Sequence, residues 1–148
     1  MFNRILVICT GNICRSPMGE ALLAQTLGEG FTVESAGIGA LVGHGADPTA
    51  LELMSERGVD ISAHRARQLD LAMVRDFELL LVMDQTHADW IHDRFPIARG
   101  RVHRFGHWRD LEVPDPYRRG RAAFEEALRL IEQGVEDWRA RLAPHSKA

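Results

Sequence analysis

Apolar residues fall along this chain in two kinds of run. Ile5-Leu6-Val7-Ile8 and the stretch Phe77 to Met83 are nearly continuous, without the alternation of a half-exposed strand, and predict strands buried on both faces. Phe31 to Ser35 and Arg101 to Arg104 predict two shorter strands. The other kind repeats at helical spacing. Met18, Ala21, Leu22, Ala24 and Leu27 make a stripe for a helix from Ser16 to about Leu27, with Ser16 as N-cap, Pro17 at the first position and Gly28 and Gly30 closing it. Asp47 and Pro48 open a second helix to about Glu56, with Leu51 and Met54 inward and Gly58 as the stop. Asp84 caps a third, Gln85 to Arg94, ended before Pro96. The last helix, Arg121 to Leu142, carries Phe124, Ala127, Leu128, Ile131, Val135 and Trp138 on one side. Its polar side offers Glu125 with Arg129 as an i,i+4 pair, and residues 143–148 are expected to fray.

Strands alternating with helices predict an α/β fold: a four-stranded open parallel sheet, order 2-1-3-4, with helices on both faces. The 148 residues suit one domain spanning 1–148. A net charge of −3 gives no basic surface for nucleic acid, and no apolar run is long enough to span a membrane. Two cysteines make no disulfide framework, and no leader precedes the first strand, so a cytoplasmic location is expected. Positive charge is carried almost wholly by arginine, with Lys147 the only lysine, which reads as genomic composition.

Chemistry concentrates where the first strand meets the first helix, in Cys9-Thr10-Gly11-Asn12-Ile13-Cys14-Arg15-Ser16-Pro17. A tight loop leading into a helix wraps backbone N–H groups around the helix's positive end, a site for a phosphate-sized oxyanion, with Gly11 expected to supply the unusual backbone angle. Cys9 begins this cradle, where the helix end and Arg15 favour thiolate over thiol. Arg15 offers a planar fork for two oxygens of a transferring group. Ser16 can hydrogen-bond the sulfur. An ordinary buried cysteine before a capped helix would leave Gly11, Asn12, Arg15 and Ser16 unexplained together.

The string CTGNICRSP resembles the signature loop of the low-molecular-weight protein tyrosine phosphatases, most closely the bacterial branch tied to tyrosine-kinase-controlled polysaccharide production. The resemblance implies catalytic Cys9, Arg15 and an aspartate further on, with Thr10, Gly11, Asn12, Ile13, Cys14 and Ser16 forming the phosphate site and no cofactor or metal. It also implies that His64, Ser35 and Asn12 form a network holding the loop's shape. The glycine-rich stretch Gly37 to Gly45 would wall the pocket, or else be a mobile loop without a selective role; where the family often places an aromatic residue there, this chain has Leu41. For Cys14 two readings stand: partner in a reversible disulfide with Cys9, which the family suggests, or a small buried side chain.

Val113-Pro114-Asp115-Pro116-Tyr117 is the second chemical element. Its prolines hold the backbone extended and present the Asp115 carboxyl rigidly. Expelling a phenol whose pKa is near 10 is helped by a placed acid, typically by about 10²- to 10⁴-fold. Asp-Pro-Tyr before the last helix also matches the family's acid loop, which makes Asp115 the general acid and sets Tyr117 beside the substrate ring; the family's second tyrosine is Arg118 here. His87, His92, His103 and His107 read as scattered surface side chains, and Trp90, Trp108 and Trp138 as packing residues. The expected activity is phosphotyrosine hydrolysis through a phosphocysteine on Cys9, acting as a monomer on a phosphoprotein such as a bacterial tyrosine autokinase, with phosphate-like oxyanions as inhibitors. Alternatives are a thiol-dependent arsenate reductase, which needs further relay cysteines, and a non-catalytic phosphate- or phosphotyrosine-binding module, which needs neither Cys9 nor Asp115.

Overall fold

Four parallel strands in the order β2-β1-β3-β4 carry the architecture, as the alternation of runs anticipates. The structure is a computed structural model and describes residues 2–144. The strands are β1 (Arg4–Cys9), β2 (Thr32–Gly37), β3 (Leu79–Val82) and β4 (Val102–Arg104). The helices are α1 (Arg15–Leu27), α2 (Pro48–Glu56), α3 (Leu71–Asp76), α4 (Gln85–Arg94) and α5 (Arg121–Leu142).

β1 has no half-exposed pattern because helices cover both of its faces. Ile5, Val7 and Cys9 join Leu79 and Leu81 beneath α1, α2 and α5, where Met18, Leu23, Met54, Phe124, Leu128 and Ile131 fill the larger core. Leu6 and Ile8 point the other way, with Leu80 and Val82, onto Val74 of α3 and Ala88 and Ile91 of α4. Alternate residues of one strand therefore serve two cores, and the run reads as continuously apolar.

Several local expectations change. β2 runs on to Gly37, pairing it with Cys9, because a glycine there lets the strand end reach the loop: a Cβ at Gly37 would lie 2.4 Å from the Thr10 carbonyl oxygen. β3 is shorter than the apolar run, since Phe77 caps the end of α3, a six-residue helix too short for its periodicity to be read. α1 starts at Arg15 with no side-chain cap, so Ser16 lies inside the helix. Along α5, Glu125 pairs with Arg121, which also reaches Glu52 and Glu56 of α2, while Arg129 pairs with Glu126. Both residues of the expected pair thus find other partners within α5, Glu125 at i,i+4 with Arg121 and Arg129 at i,i+3 with Glu126. Of the tail expected to fray, Ala143 packs against the larger core, and 145–148 lie outside the described residues. No helix among the described residues is long and apolar enough to cross a membrane.

Candidate active site

The loop from Cys9 to Arg15 leaves β1 at its carboxyl end, on an inner strand where the chain turns outward to both sheet neighbours. Its backbone is held from outside. Carbonyls of Cys9, Thr10, Gly11 and Ile13 accept from the N–H groups of Ile38, Gly39, Leu41 and Asp47 at 2.8–3.1 Å. His64 Nε2 donates to the Asn12 carbonyl at 2.6 Å, and Met18 N–H reaches that of Cys14 at 3.5 Å. In a trans peptide the C=O and the next N–H point oppositely, so the same planes turn the N–H groups of residues 10–15 inward. The result is a cup of donors at a helix N-terminus.

The left-handed backbone angle sits at Asn12 (φ 59°) rather than at Gly11. Asparagine tolerates it because its side chain is fully engaged: Nδ2 donates to Ser16 Oγ (2.7 Å) and Ser35 Oγ (3.0 Å), and Oδ1 accepts from Arg67 N–H (2.9 Å). At Gly11 a Cβ would meet only ordinary contacts, Ile13 and Leu41 at 3.7 and 3.9 Å, so packing leaves room for a side chain there. Ser35 donates onward to Glu20 at 2.5 Å. Burial pushes the Glu20 carboxyl up, the Ser35 hydrogen bond only partly offsetting it. Asn12, Ser35 and His64 are thus brought together behind the loop.

Cys9 is buried, with Sγ 2.9 Å from Ser16 Oγ. Since Ser16 already accepts from Asn12, its own proton is left for the sulfur. Cys14 is also buried, and burial pushes its thiol far up, keeping it protonated. Arg15 is only 2% exposed. Nη1 donates to Asp84 Oδ2 (3.0 Å) and the Val113 carbonyl (2.8 Å), while Nη2 lies 3.9 Å from Asp115 Oδ2. A buried guanidinium needs such partners. They also aim its fork. Burial would raise the Asp84 carboxyl, but hydrogen bonds from Thr86 and Arg15 outweigh it and hold Asp84 below the ordinary carboxylate value.

The cavity at this place has a volume of about 170 Å³ and is lined by Cys9, Thr10, Gly11, Ile13, Cys14, Arg15, Gly39, Leu41, Asp115 and Tyr117. Asn12 and Ser16 are fully buried beneath it. Leu41 and Tyr117, 39% and 38% exposed, stand at the rim, with Arg118 over the Tyr117 ring at 5.1 Å. Asp115 is half exposed, and its Oδ1 accepts from Tyr117 N–H at 3.1 Å.

Sequence reading missed Asp84 and His87, while Gly39 lies in the glycine-rich stretch expected to wall the pocket. Asp84 was legible only as a helix cap, which it also is. His87, read as a surface histidine, is buried, because the third position of α4 faces the cup. The available signal was an Asp-x-x-His capping box at the carboxyl end of a central strand. His92, His103 and His107 remain at least partly exposed. Trp138 is buried, donating from Nε1 to the Phe105 carbonyl at 3.0 Å, and packs against Trp108, which is itself 41% exposed. Among the described residues no group of three or more His, Cys, Asp or Glu side chains could hold a metal ion.

Sulfur at the floor of an amide cup, with a guanidinium to share an oxyanion's charge and a carboxyl at the mouth, suits displacement at phosphorus; fold and site define a cysteine-dependent phosphatase. Comparison gives the family. Residues 4–148 match the family model of the low molecular weight phosphotyrosine protein phosphatases, and the chain belongs to that family. It is 50% identical over 142 residues to a probable low molecular weight protein-tyrosine-phosphatase, EpsP, of Ralstonia nicotianae, covering 96% of this chain and 97% of that protein. Among solved structures it is similar to the tyrosine phosphatase Wzb of Escherichia coli K30 in complex with sulphate (TM-score 0.93, 44% identity, 97% of this chain and 100% of that one). It is similar also to Vibrio vulnificus Wzb in complex with benzylphosphonate (TM-score 0.92, 41% identity, 96% and 100%). The chain is a protein-tyrosine-phosphatase.

Proposed function

We propose that Cys9, Arg15 and Asp115 carry the reaction, and that the protein acts in the cytoplasm on a tyrosine-phosphorylated protein, such as the autophosphorylating kinase of a polysaccharide-producing system. The Cys9 thiolate attacks phosphorus in line, forming the S–P bond as the P–O bond to the tyrosyl oxygen breaks. Asp115 gives its proton to the leaving phenol. Arg15 and the inward N–H groups bind the equatorial oxygens, whose charge grows along the path. Water then attacks the phosphocysteine, passing a proton to Asp115, and breaking the S–P bond releases phosphate and restores the thiolate. Thr10, Gly11, Asn12, Ile13, Cys14 and Ser16 bind the phosphoryl group as the loop, mainly through backbone. Asn12, Ser35 and His64 hold its shape, and Leu41 and Tyr117 flank the substrate ring.

The observation that carries this reading is the meeting of elements far apart in sequence: Arg15 Nη2 lies 3.9 Å from Asp115 Oδ2 at the mouth of the Cys9 cup. An arsenate reductase would need relay thiols, and beyond Cys9 the chain has only Cys14. A passive binding module would need no half-exposed carboxyl at the mouth. The mechanism is tested by hydrolysis of an aryl phosphate without added metal. Wild type turns over, Cys9→Ser yields no phosphoenzyme on rapid quench, and Asp115→Ala is slowed; equal rates in all three would refute the roles. The partner is tested by Asp115→Ala trapping from the native cell, where enrichment of phosphotyrosine kinase supports it and its absence among captured phosphoproteins counts against it.

A further inference from the structure

Among the buried titratable side chains near the cavity, a histidine has no part in the mechanism above. His87, at the third position of α4, is 1% exposed, and its Nε2 lies 2.9 Å from Oγ1 of Thr10, a cavity-lining residue. Its hydrogen bonds decide where its proton sits. The backbone N–H of Asp84 approaches Nδ1 at 3.3 Å. A peptide N–H can only donate, so Nδ1 accepts and the neutral ring carries its one proton on Nε2. Burial favours the neutral ring and, with Arg15, pushes its pKa down to about 4, against the carboxylates of Asp84, Asp115 and Glu112. The opposite tautomer would face that peptide N–H with another N–H and reach Asp84 Oδ1 only at 3.5 Å.

Nε2–H therefore donates to Thr10 Oγ1. Arg15 Nη2 lies 3.5 Å from both Nε2 and Oγ1, and since a guanidinium has only donors, the hydroxyl oxygen is the one that can receive it. With Oγ1 accepting from His87 and, at longer range, from Arg15, the single hydroxyl proton must seek an acceptor elsewhere. Inside the cavity the acceptors are the Cys9 sulfur, the Asp115 carboxyl at its mouth and the oxygens of a bound phosphoryl group.

We propose that His87 is a positioning residue of the oxyanion cup: fixed as the Nε2–H tautomer by the Asp84 backbone, it aims the Thr10 hydroxyl proton into the cavity. Thr10 thereby adds one side-chain donor to the ring of peptide N–H groups. The proposal rests on the phosphatase mechanism for its catalytic consequence, and on hydrogen-bond geometry alone for its effect on oxyanion binding.

The test compares Thr10→Val, Thr10→Ser, His87→Leu, His87→Gln and the Thr10→Val/His87→Leu double variant. Each is assayed for kcat/KM on an aryl phosphate and for binding of inorganic phosphate by calorimetry. Thr10→Val and His87→Leu are each expected to lower both by about tenfold, the worth of one hydrogen bond to a charged group. Thr10→Ser and His87→Gln, which keep the hydroxyl and the N–H donor, should recover most of that loss. In the Thr10→Val background, removing the His87 ring should cost nothing further. Nitrogen-15 spectra of the wild-type ring should show the neutral Nε2-protonated form across neutral pH. Additive losses in the double variant, or a ring protonated on Nδ1, would overturn the proposal. The spectrum and Thr10→Val decide the matter even where His87→Leu does not fold. Wild-type protein that binds phosphate through this pair yet hydrolyses no aryl phosphate would support the cup and overturn the mechanism instead.

Discussion

The two loops that meet at the cavity are built in opposite ways. From Cys9 to Cys14 every backbone carbonyl is tied to a donor from outside the loop or from the first turn of α1, and the polar side chains of Asn12, Arg15 and Ser16 are buried. The segment from Val113 to Arg119 hangs by far less: Val113 bonds the Met83 carbonyl and Arg15, and Asp115 folds back on Tyr117 N–H. An oxyanion cup works only if its donors are aimed before the charge arrives, since turning them during the reaction would cost what they supply. A carboxyl that must give a proton to a leaving group and take one from water needs room and access instead.

Substitutions can break this contrast. Asp115→Ala should lower kcat on phenyl phosphate by about 10³-fold, and by less on a phosphate whose phenol is more acidic, while phosphate binding and thermal stability stay near wild type. Equal loss on both substrates would deny it the role of proton donor. Arg15→Lys should lower kcat/KM by about 10²-fold and weaken phosphate binding in parallel, because an ammonium cannot span Asp84, the Val113 carbonyl and the oxyanion at once. Loss of kcat with phosphate affinity intact would place Arg15 outside the binding cup.

The buried support of the cup should also make it acid-sensitive. The His87 ring is charged below its ordinary 6.5 in the unfolded chain but only below about 4 in the fold. As pH falls from 6.5 to 4 the unfolded state binds the extra proton, so stability drops, by an amount on the order of 3 kcal/mol, and the slope ends below 4. Denaturant melts of wild type against His87→Gln check it, the variant losing that part of the slope. Last of the four, Asn12→Ala should cost about 3 to 4 kcal/mol of unfolding free energy, from three lost hydrogen bonds and an alanine held at positive φ. Its phosphate affinity should fall with its stability; a stable variant with intact affinity would mean the loop holds its shape without it.

The candidate site was legible to the extent that its residues are adjacent. Cys9 to Ser16 is one string, and Asp115 between two prolines is another. What was not legible came from contacts across the fold. Gly11 was expected to take the special backbone angle on conformational grounds, but Asn12 takes it, since tertiary bonds to Ser35 and Arg67 stabilise a side chain only asparagine supplies. Asp84 was legible as a cap and not as the anchor of Arg15, because its other oxygen finds a partner 69 residues away. His87 was misplaced on the surface for the same reason: nothing local distinguishes a helix face that meets solvent from one that meets a loop of another strand.

By itself the sequence determined the order and type of the main elements, the parallel sheet and the cysteine-arginine cradle, because apolar periodicity, capping residues and a contiguous motif act over a few positions of chain. Only the tertiary structure decided which buried groups aim the arginine, where the loop takes its left-handed turn, and how near the aspartate comes to the cup. Those depend on distances between segments brought together by the sheet, and hydrogen bonds of about 3 Å are set by packing rather than by neighbours in the chain.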